Sequence, residues 1–492
     1  MADELWTMDD LLAAVPFASA DGRPDRAITG FSIDTRSLQP GDVFIALKDQ
    51  RDAHEFVTNA FREGASLAIV NDTYERRPGD GALMRCKLDA LRKEFPDYHE
   101  KLPDCDALWA LQKIGAAARN RLAPGARVVA VTGSAGKTGT KEMLRGCMLR
   151  VGTVHASEKS YNNHWGVPLS LARMPADTEF AVFEIGMNHA GEITPLTEMV
   201  RPHVAIITTV EAVHLEHFRG VEEIADAKAE IFRGLVSGGA AIVKRDSPHF
   251  DRQRVRAEIE AARVVSFGLT NTADVFAETL NLGEDGTDIT VRIGGKRVSY
   301  RLAMPGRHIA ENSLAVVAAL DAIGADLDIA LTALADLAPP PGRGARTVFA
   351  VPGGEVLLID ESYNANPASM RAALGTLSTV SRAKFPRRIA VLGDMLELGP
   401  DAPALHCSLK DAVDEAGVDV IFACGPDMRN LYDAVPEGIR GGYDKAAAQL
   451  SDKVLGALRA GDVVMVKASN GTRLGQLVDA LKAKFGKDLA AG

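Results

Sequence analysis

Residues 127–144 read RVVAVTGSAGKTGTKEML. An apolar, β-branched run passes through Gly133 into Gly136-Lys137-Thr138 and then into a helical pattern. Strand, glycine-rich turn and helix in that order are the context of a phosphate-binding loop. Backbone N–H groups and the helix N-terminus face an anion, Lys137 neutralises it, and Thr138 is placed to ligate magnesium. The loop is shorter than G-x-x-x-x-G-K-[ST]. Val131 stands where the first glycine belongs, and only Ser134 and Ala135 separate Gly133 from Gly136. A glycine-rich turn with a surface lysine is the plain alternative.

The chain around this loop has 492 residues, which at roughly 150 per domain suggests about three domains, each able to bury its own core. Outward from the loop, RVVAVTG, EFAVFEIGM, HVAIITTV and GAAIVKRD alternate with helix-length segments such as KEMLRGCML and IADAKAEIFRGL. That rhythm predicts a largely parallel sheet covered by helices. Between Asp274 and Leu302 the period changes to two, with Asp-Gly and Gly-Gly turns, which predicts a β-hairpin appendage.

Toward the N-terminus, DVFIALK and SLAIVND alternate with HEFVTNAFREGA, the pattern of a small α/β unit. Residues 89–104 (DALRKEFPDYHEKLPD) are charged and carry two prolines, and read as a surface insertion or linker. Toward the C-terminus, APPPGRGAR (338–346) has the composition of a hinge, and EVLLIDES, RRIAVLGDM, VDVIFACG and GDVVMVKAS follow it as strands of another doubly wound, Rossmann-like unit. The expected division is 1–105, 106–340 and 341–492.

Composition narrows the function classes. Lys plus Arg number 56 and Asp plus Glu 66, a net charge of −10 that offers no footprint for nucleic acid or anionic lipid. Five cysteines, widely spaced and never C-x-x-C, argue against a disulfide framework or a zinc ribbon and for a reducing compartment. The start MADELWTMDDLLAAV does not read as a signal peptide, and the most apolar long stretch, Leu314 to Ala338, is interrupted by four aspartates. The expectation is a cytoplasmic protein with no nucleic-acid or membrane partner.

T-G-x-x-G-K-T is similar to the short phosphate loop of the Mur ligases and folylpolyglutamate synthetases. SIDTRSLQPGDVFIAL, YNNHWGVPLSL, FEIGMNHAGEI, AVHLEHF, ADAKAEIF, GRHIAENSLAVVAAL, DESYNANPASM, VLGDMLELG and KASNGTRL together resemble the Mur ligase family over nearly the whole chain. The resemblance implies a monomeric, ADP-forming amide ligase that uses ATP and two magnesium ions. DESYNANPASM and VLGDMLELG point to the branch that couples D-alanyl-D-alanine to UDP-N-acetylmuramoyl-tripeptide, in peptidoglycan synthesis. A sister ligase with another amino acid or folate substrate is the nearest rival, and a nucleotide-hydrolysing regulator is a more distant one.

The resemblance also implies residue roles. Gly133, Ser134, Ala135, Gly136, Lys137, Thr138 and Gly139 would hold the phosphates of ATP. Glu184 would hold magnesium with Thr138, although a glutamate after a strand is by itself an ordinary capping or paired acid. His214 would be a histidine metal ligand. Lys228 matches a lysine that combines with carbon dioxide to give a carbamate, turning a repelling ammonium into anionic oxygens suited to magnesium. Read alone, Lys228 would be a solvated helix lysine paired with Glu230 or Asp226.

Asn312 would approach the adenine or phosphates of ATP. Either Arg343 or Arg346 would reach the nucleotide from the third domain; spacing favours Arg346 and the Gly-Arg pair favours Arg343, and Arg346 is the expectation. Either Asp360 or Glu361 would meet the ribose. Asn364 and Asn366 would face substrate, against a reading as turn residues. Asn162, Asn163 and His164 are assigned to the muramoyl peptide, and Asp34, Thr35 and Arg36 to the uridine end. Asp49 and Ala53 depart from the family's usual pattern beside that pocket.

Overall fold

A computed structural model describes residues 4–48, 51–87, 106–158, 160–283 and 285–486. The charged stretch 89–104, the expected boundary at 105 and Asp49 lie outside the described residues. The protein is an α/β chain with three sheets, mostly parallel.

The first sheet contains β1 (Ala18–Asp21), β2 (Gly30–Ser32), β3 (Asp42–Ile45), β4 (Leu67–Asn71) and β5 (Ala82–Cys86), in the order β1-β5-β4-β3-β2. Only β1 runs antiparallel to its neighbour. Helix Asp106–Arg121 then crosses to the central unit and buries Leu108, Leu111 and Ile114. These side chains belong to a continuous core that includes Phe31 and Ile69 of the first unit and Val128 and Phe183 of the second. The two N-terminal sheets therefore share apolar interior, and Trp6 adds an indole N–H bond to Ala172 O at 2.9 Å across the join.

The central sheet has nine strands: β6 (Arg127–Thr132), β7 (Val154–Ala156), β8 (Phe180–Glu184), β9 (Val204–Ile207), β10 (Ala240–Lys244), β11 (Arg263–Gly268), β12 (Val275–Gly283), β13 (Gly286–Ile293) and β14 (Lys296–Leu302). Their order is β14-β13-β12-β11-β10-β9-β6-β8-β7. β6 to β11 are parallel and nearly continuous in apolar residues because helices cover both faces. β12 to β14 form the antiparallel extension expected from the period-two segment, and alternate residues of β14 are buried.

The switch in strand order falls at β6, which lies between β8 and β9, so a crevice opens at its carboxyl end. The phosphate-loop sequence occupies that crevice.

The third sheet comprises β15 (Ala345–Val351), β16 (Gly354–Glu361), β17 (Arg387–Gly393), β18 (Val420–Cys424), β19 (Arg440–Asp444) and β20 (Asp462–Lys467), in the order β15-β16-β20-β17-β18-β19. All pairs except β15·β16 are parallel. Its two apolar cores draw no residue from before Phe349. Among the described residues no helix is long and apolar enough to cross a membrane.

Candidate active site

The loop after β6 is built by close approach. Gly133 has φ +149°, and a Cβ there would lie 1.9 Å from Thr208 Oγ1. Gly136 has φ +83° and starts helix Lys137–Met148 without a side-chain cap, so the first N–H groups of the helix remain open to an anion. Its absent Cβ makes room for Asn312, whose Nδ2 would otherwise be 2.5 Å away. Thr208 Oγ1 donates to Ala135 O at 2.5 Å, and Ser134 N–H donates to Thr209 O at 2.8 Å, tying the loop to the end of β9.

A cavity of about 510 Å³ lies over this loop. Ser134 to Gly139 form one wall, and Tyr363, Asn364, Asn366 and Lys467 of the third unit form the other. Glu184 closes β8 at the cavity edge and is 1 % exposed. Its Oε2 accepts from Thr138 Oγ1 at 2.6 Å and its Oε1 from Asn162 Nδ2 at 2.7 Å. Lys137 Nζ donates to Gly133 O at 2.6 Å, and burial lowers its pKa, opposed by the Glu184 charge. An incoming triphosphate would supply the anionic partner that this lysine lacks.

Lys228, on helix Val221–Ala229, is 2 % exposed. Neither suggested acid pairs with it: Glu230 accepts the N–H groups of Gly191 and Thr194, and Asp226 holds Arg252 at 2.9 Å. Among the described residues its amine makes no hydrogen bond or ion pair. Burial, with the Lys137 charge second, holds its pKa well below the ordinary lysine value. Lys228 does not itself line the cavity, and a lysine amine with a lowered pKa is more readily available as a nucleophile.

Among the described residues no cluster of three or more His, Cys, Asp or Glu forms a metal cage. The Thr138 hydroxyl and Glu184 carboxylate are hard oxygen donors of the kind that hold magnesium together with phosphate oxygens.

The pairs left open by sequence separate by position. Arg343 lines the cavity, stacks 4.4 Å above the Tyr363 ring and donates from Nη2 to Ser160 Oγ at 3.2 Å. Arg346, the expected residue, is instead one residue inside β15, opposite Ile359, and does not line the cavity. Glu361 lines it, whereas Asp360 accepts from Gly342 N–H at 3.2 Å and Ser362 Oγ at 2.7 Å and so holds the turn after β16 against the hinge.

Asn364 lines the cavity, with Oδ1 on Ala365 N–H at 2.8 Å. Asn366 also lines it but caps helix Pro367–Ser378, accepting from Ser369 N–H at 2.8 Å. Asn163 accepts the N–H groups of Trp165 and Gly166, at 3.2 and 2.9 Å, at the entry to helix Gly166–Ala172, and His164 is exposed beside Trp165. Neither lines the cavity.

His214 is also outside the cavity lining, bonded to Glu397 of the third unit. Asp34, Thr35 and Arg36 follow β2 away from the cavity, and Arg36 donates from Nη2 to Asp34 at 2.5 Å on an exposed surface.

Sequence reading assigned no role to several cavity residues. Lys467 ends β20 beside Glu361, with Nζ 3.3 Å from Glu361 Oε2 and 3.0 Å from Asn364 O. Ser160 lies 3.4 Å from Thr138 Oγ1 and joins the phosphate loop to Arg343. Lys244 and Glu311 pair at 2.6 Å on the side lined by Met304 and Ile309. A charged residue closing an apolar strand was the available signal for Lys244 and Lys467.

This strand order and loop are those of a family of amide ligases. Residues 131–320 match the Mur ligase middle domain and residues 347–470 the Mur ligase, glutamate ligase domain. The chain belongs to the Mur ligase family.

Among its relatives is the UDP-N-acetylmuramoyl-tripeptide--D-alanyl-D-alanine ligase of Escherichia coli, 34% identical over 93% of this chain and 94% of that protein. The ligase of the same name from Rickettsia prowazekii is 30% identical over 91% and 93%. A crystal structure of MurF from Acinetobacter baumannii superposes with TM-score 0.80 at 29% identity, covering 98% of this chain and 99% of that one.

Proposed function

We propose that the protein is an ADP-forming peptide ligase that joins D-alanyl-D-alanine to the terminal carboxylate of UDP-N-acetylmuramoyl-tripeptide, a cytoplasmic step of peptidoglycan synthesis that serves cell shape and division. Its relatives of that name, matched along nearly their whole length, support the substrate pair. The single structural observation that carries the reading is the cavity between the Gly133–Thr138 loop and the third unit, with buried Glu184 at its edge.

In this reading the peptide carboxylate attacks the γ-phosphorus of ATP and the β,γ-bridging oxygen leaves with ADP. The amine of D-alanyl-D-alanine then attacks the acyl carbon, phosphate departs, and the amine loses a proton. Lys137 and the helix N-terminus offset the repulsion between carboxylate and triphosphate. Arg343, anchored on Tyr363 and Ser160, supplies a second cation from the hinge. Glu361 offers a carboxylate to the ribose, and Asn312 an amide to the base or phosphates. Asn162 orients Glu184, and Asn364 faces the acceptor side. Movement of the third unit over the cavity would exclude water from the acyl phosphate.

Two magnesium ions complete the proposal. Thr138 and Glu184 would hold one, and His214 with carbamylated Lys228 the other; bound there, they would neutralise the phosphoryl oxygens. Asp34, Thr35 and Arg36 would take the uridine end.

Phosphate release measured with each substrate omitted in turn tests this. The ligase reading requires release only when ATP, the UDP-peptide and D-alanyl-D-alanine are all present. Release without an acceptor would favour a nucleotide-hydrolysing regulator.

A further inference from the structure

The contact between His214 and Glu397 joins two units that share no apolar core. His214 follows β9 in the central unit, and Glu397 follows β17 in the third, 183 residues later. The imidazole Nδ1 meets Glu397 Oε2 at 2.5 Å. Both residues have left-handed backbone, with φ +55° at His214 and φ +63° at Glu397. Non-glycine residues adopt that conformation at a cost and keep it where surrounding structure imposes it.

The loop around Glu397 is imposed in this way. Met395 N–H donates to His406 Nε2 at 2.9 Å, and His406 is fully buried. Leu396 N–H donates to Ser469 Oγ at 3.0 Å. Gly399, at φ +64°, brings the loop close enough to the central unit that a Cβ there would sit 3.5 Å from Glu216 Cα. On the other side, His217 N–H closes the His214 turn by donating to His214 O at 2.9 Å. Two braced loops thus meet through one carboxylate–imidazole bond.

A histidine that binds a metal through one ring nitrogen commonly gives its other N–H to a carboxylate, which fixes the tautomer and the ring direction. We infer that Glu397 is the positioning residue for His214: it holds Nδ1–H, leaves Nε2 to a divalent cation, and couples closure of the third unit to the affinity of that cation. This rests on the proposed role of His214 as a ligand of the second cation. Because the carboxylate comes from the third unit, opening of that unit would remove it and lower the affinity of His214 for a cation.

Manganese titration of the full-length protein, with a β,γ-imido analogue of ATP and free Mn2+ read by electron paramagnetic resonance, tests the inference. The unsubstituted protein is expected to bind two Mn2+ ions. Glu397→Ala should weaken the looser of the two by about 10-fold or more while nucleotide affinity and the tighter ion stay unchanged. Glu397→Gln keeps an acceptor without the charge and should fall between; it also serves if the alanine variant fails to fold.

In a His214→Ala background, Glu397→Ala should cause no further loss. Equal Mn2+ affinity in Glu397→Ala and the parent would overturn the inference, as would an undiminished loss in the His214→Ala background. A parent protein that binds a single Mn2+ would overturn the two-cation reading and this inference with it. Two ions unaffected by Glu397→Ala would overturn the inference alone.

Discussion

Replacing Lys228 by methionine separates a structural lysine from a chemically modified one. Lys228 as a residue is 2 % exposed, and its amine has no hydrogen-bond or ion-pair partner among the described residues. Burying a polar group without a partner costs about 1–3 kcal/mol in mutational data on proteins. Methionine keeps the unbranched stem and removes the amine, so the variant should be as stable as the parent or more stable by up to about that amount. In a cooperative unit of 150–250 residues this corresponds to a melting-temperature gain of about 2–4 °C per kcal/mol.

Activity should move the other way. Losing an anionic group that offsets charge at the reacting phosphoryl should lower turnover by about 10²–10³-fold. Small carboxylic acids such as acetate should restore part of it by occupying the vacated space. The assays are thermal melting in carbon-dioxide-free buffer and phosphate release with all three substrates. Wild-type turnover would remove the carbamate from the mechanism. A destabilisation of several kcal/mol would show that the amine does have a native partner, and the burial argument would then be wrong.

Lys137→Ala should abolish ADP formation and weaken ATP binding measured by calorimetry, with the circular dichroism spectrum unchanged, since its one bond to Gly133 O is local. Arg343→Ala should lower kcat by about 10²-fold or more, whereas Arg346→Ala should leave kcat within a few-fold, as steady-state kinetics would show. For pH, burial pushes both His155 and His203 down to about 4. Between that value and the ordinary histidine pKa of about 6.5 the unfolded chain binds protons that the folded chain does not. Stability should therefore rise with pH across the window, by up to about 1.4 kcal/mol per pH unit for each histidine, and denaturant melts at pH 5 and 7.5 would register it.

The phosphate loop and the β12–β14 hairpins were legible because their signals are local: a glycine-rich turn between a strand and a helix, and a change of period from apolar runs to alternation. The choice between Asp360 and Glu361 was not legible, since neighbouring strand residues point to opposite faces and only the register of β16 against β20 decides which one meets the cavity. Arg343 rather than Arg346 lines the cavity for a related reason: Arg346 is already inside β15, while Arg343 sits in the turn that Gly342 and Gly344 make with positive φ. Asn163 and Asn366 have nearby N–H groups to satisfy, and the resemblance could not reveal that. Ser160, Lys467 and Glu397 depend on partners 22 to 183 residues away, and no short window of sequence contains those pairs.

The uneven sharing of apolar interior sets how the chain comes apart. The first and central sheets have one continuous core, further tied by Arg173 to Phe31 O at 2.6 Å, so heating should dissolve them in a single endotherm. The third sheet, whose interior draws on nothing upstream, should melt as a separate peak. A protease cut within residues 336–344 should release it as a compact fragment.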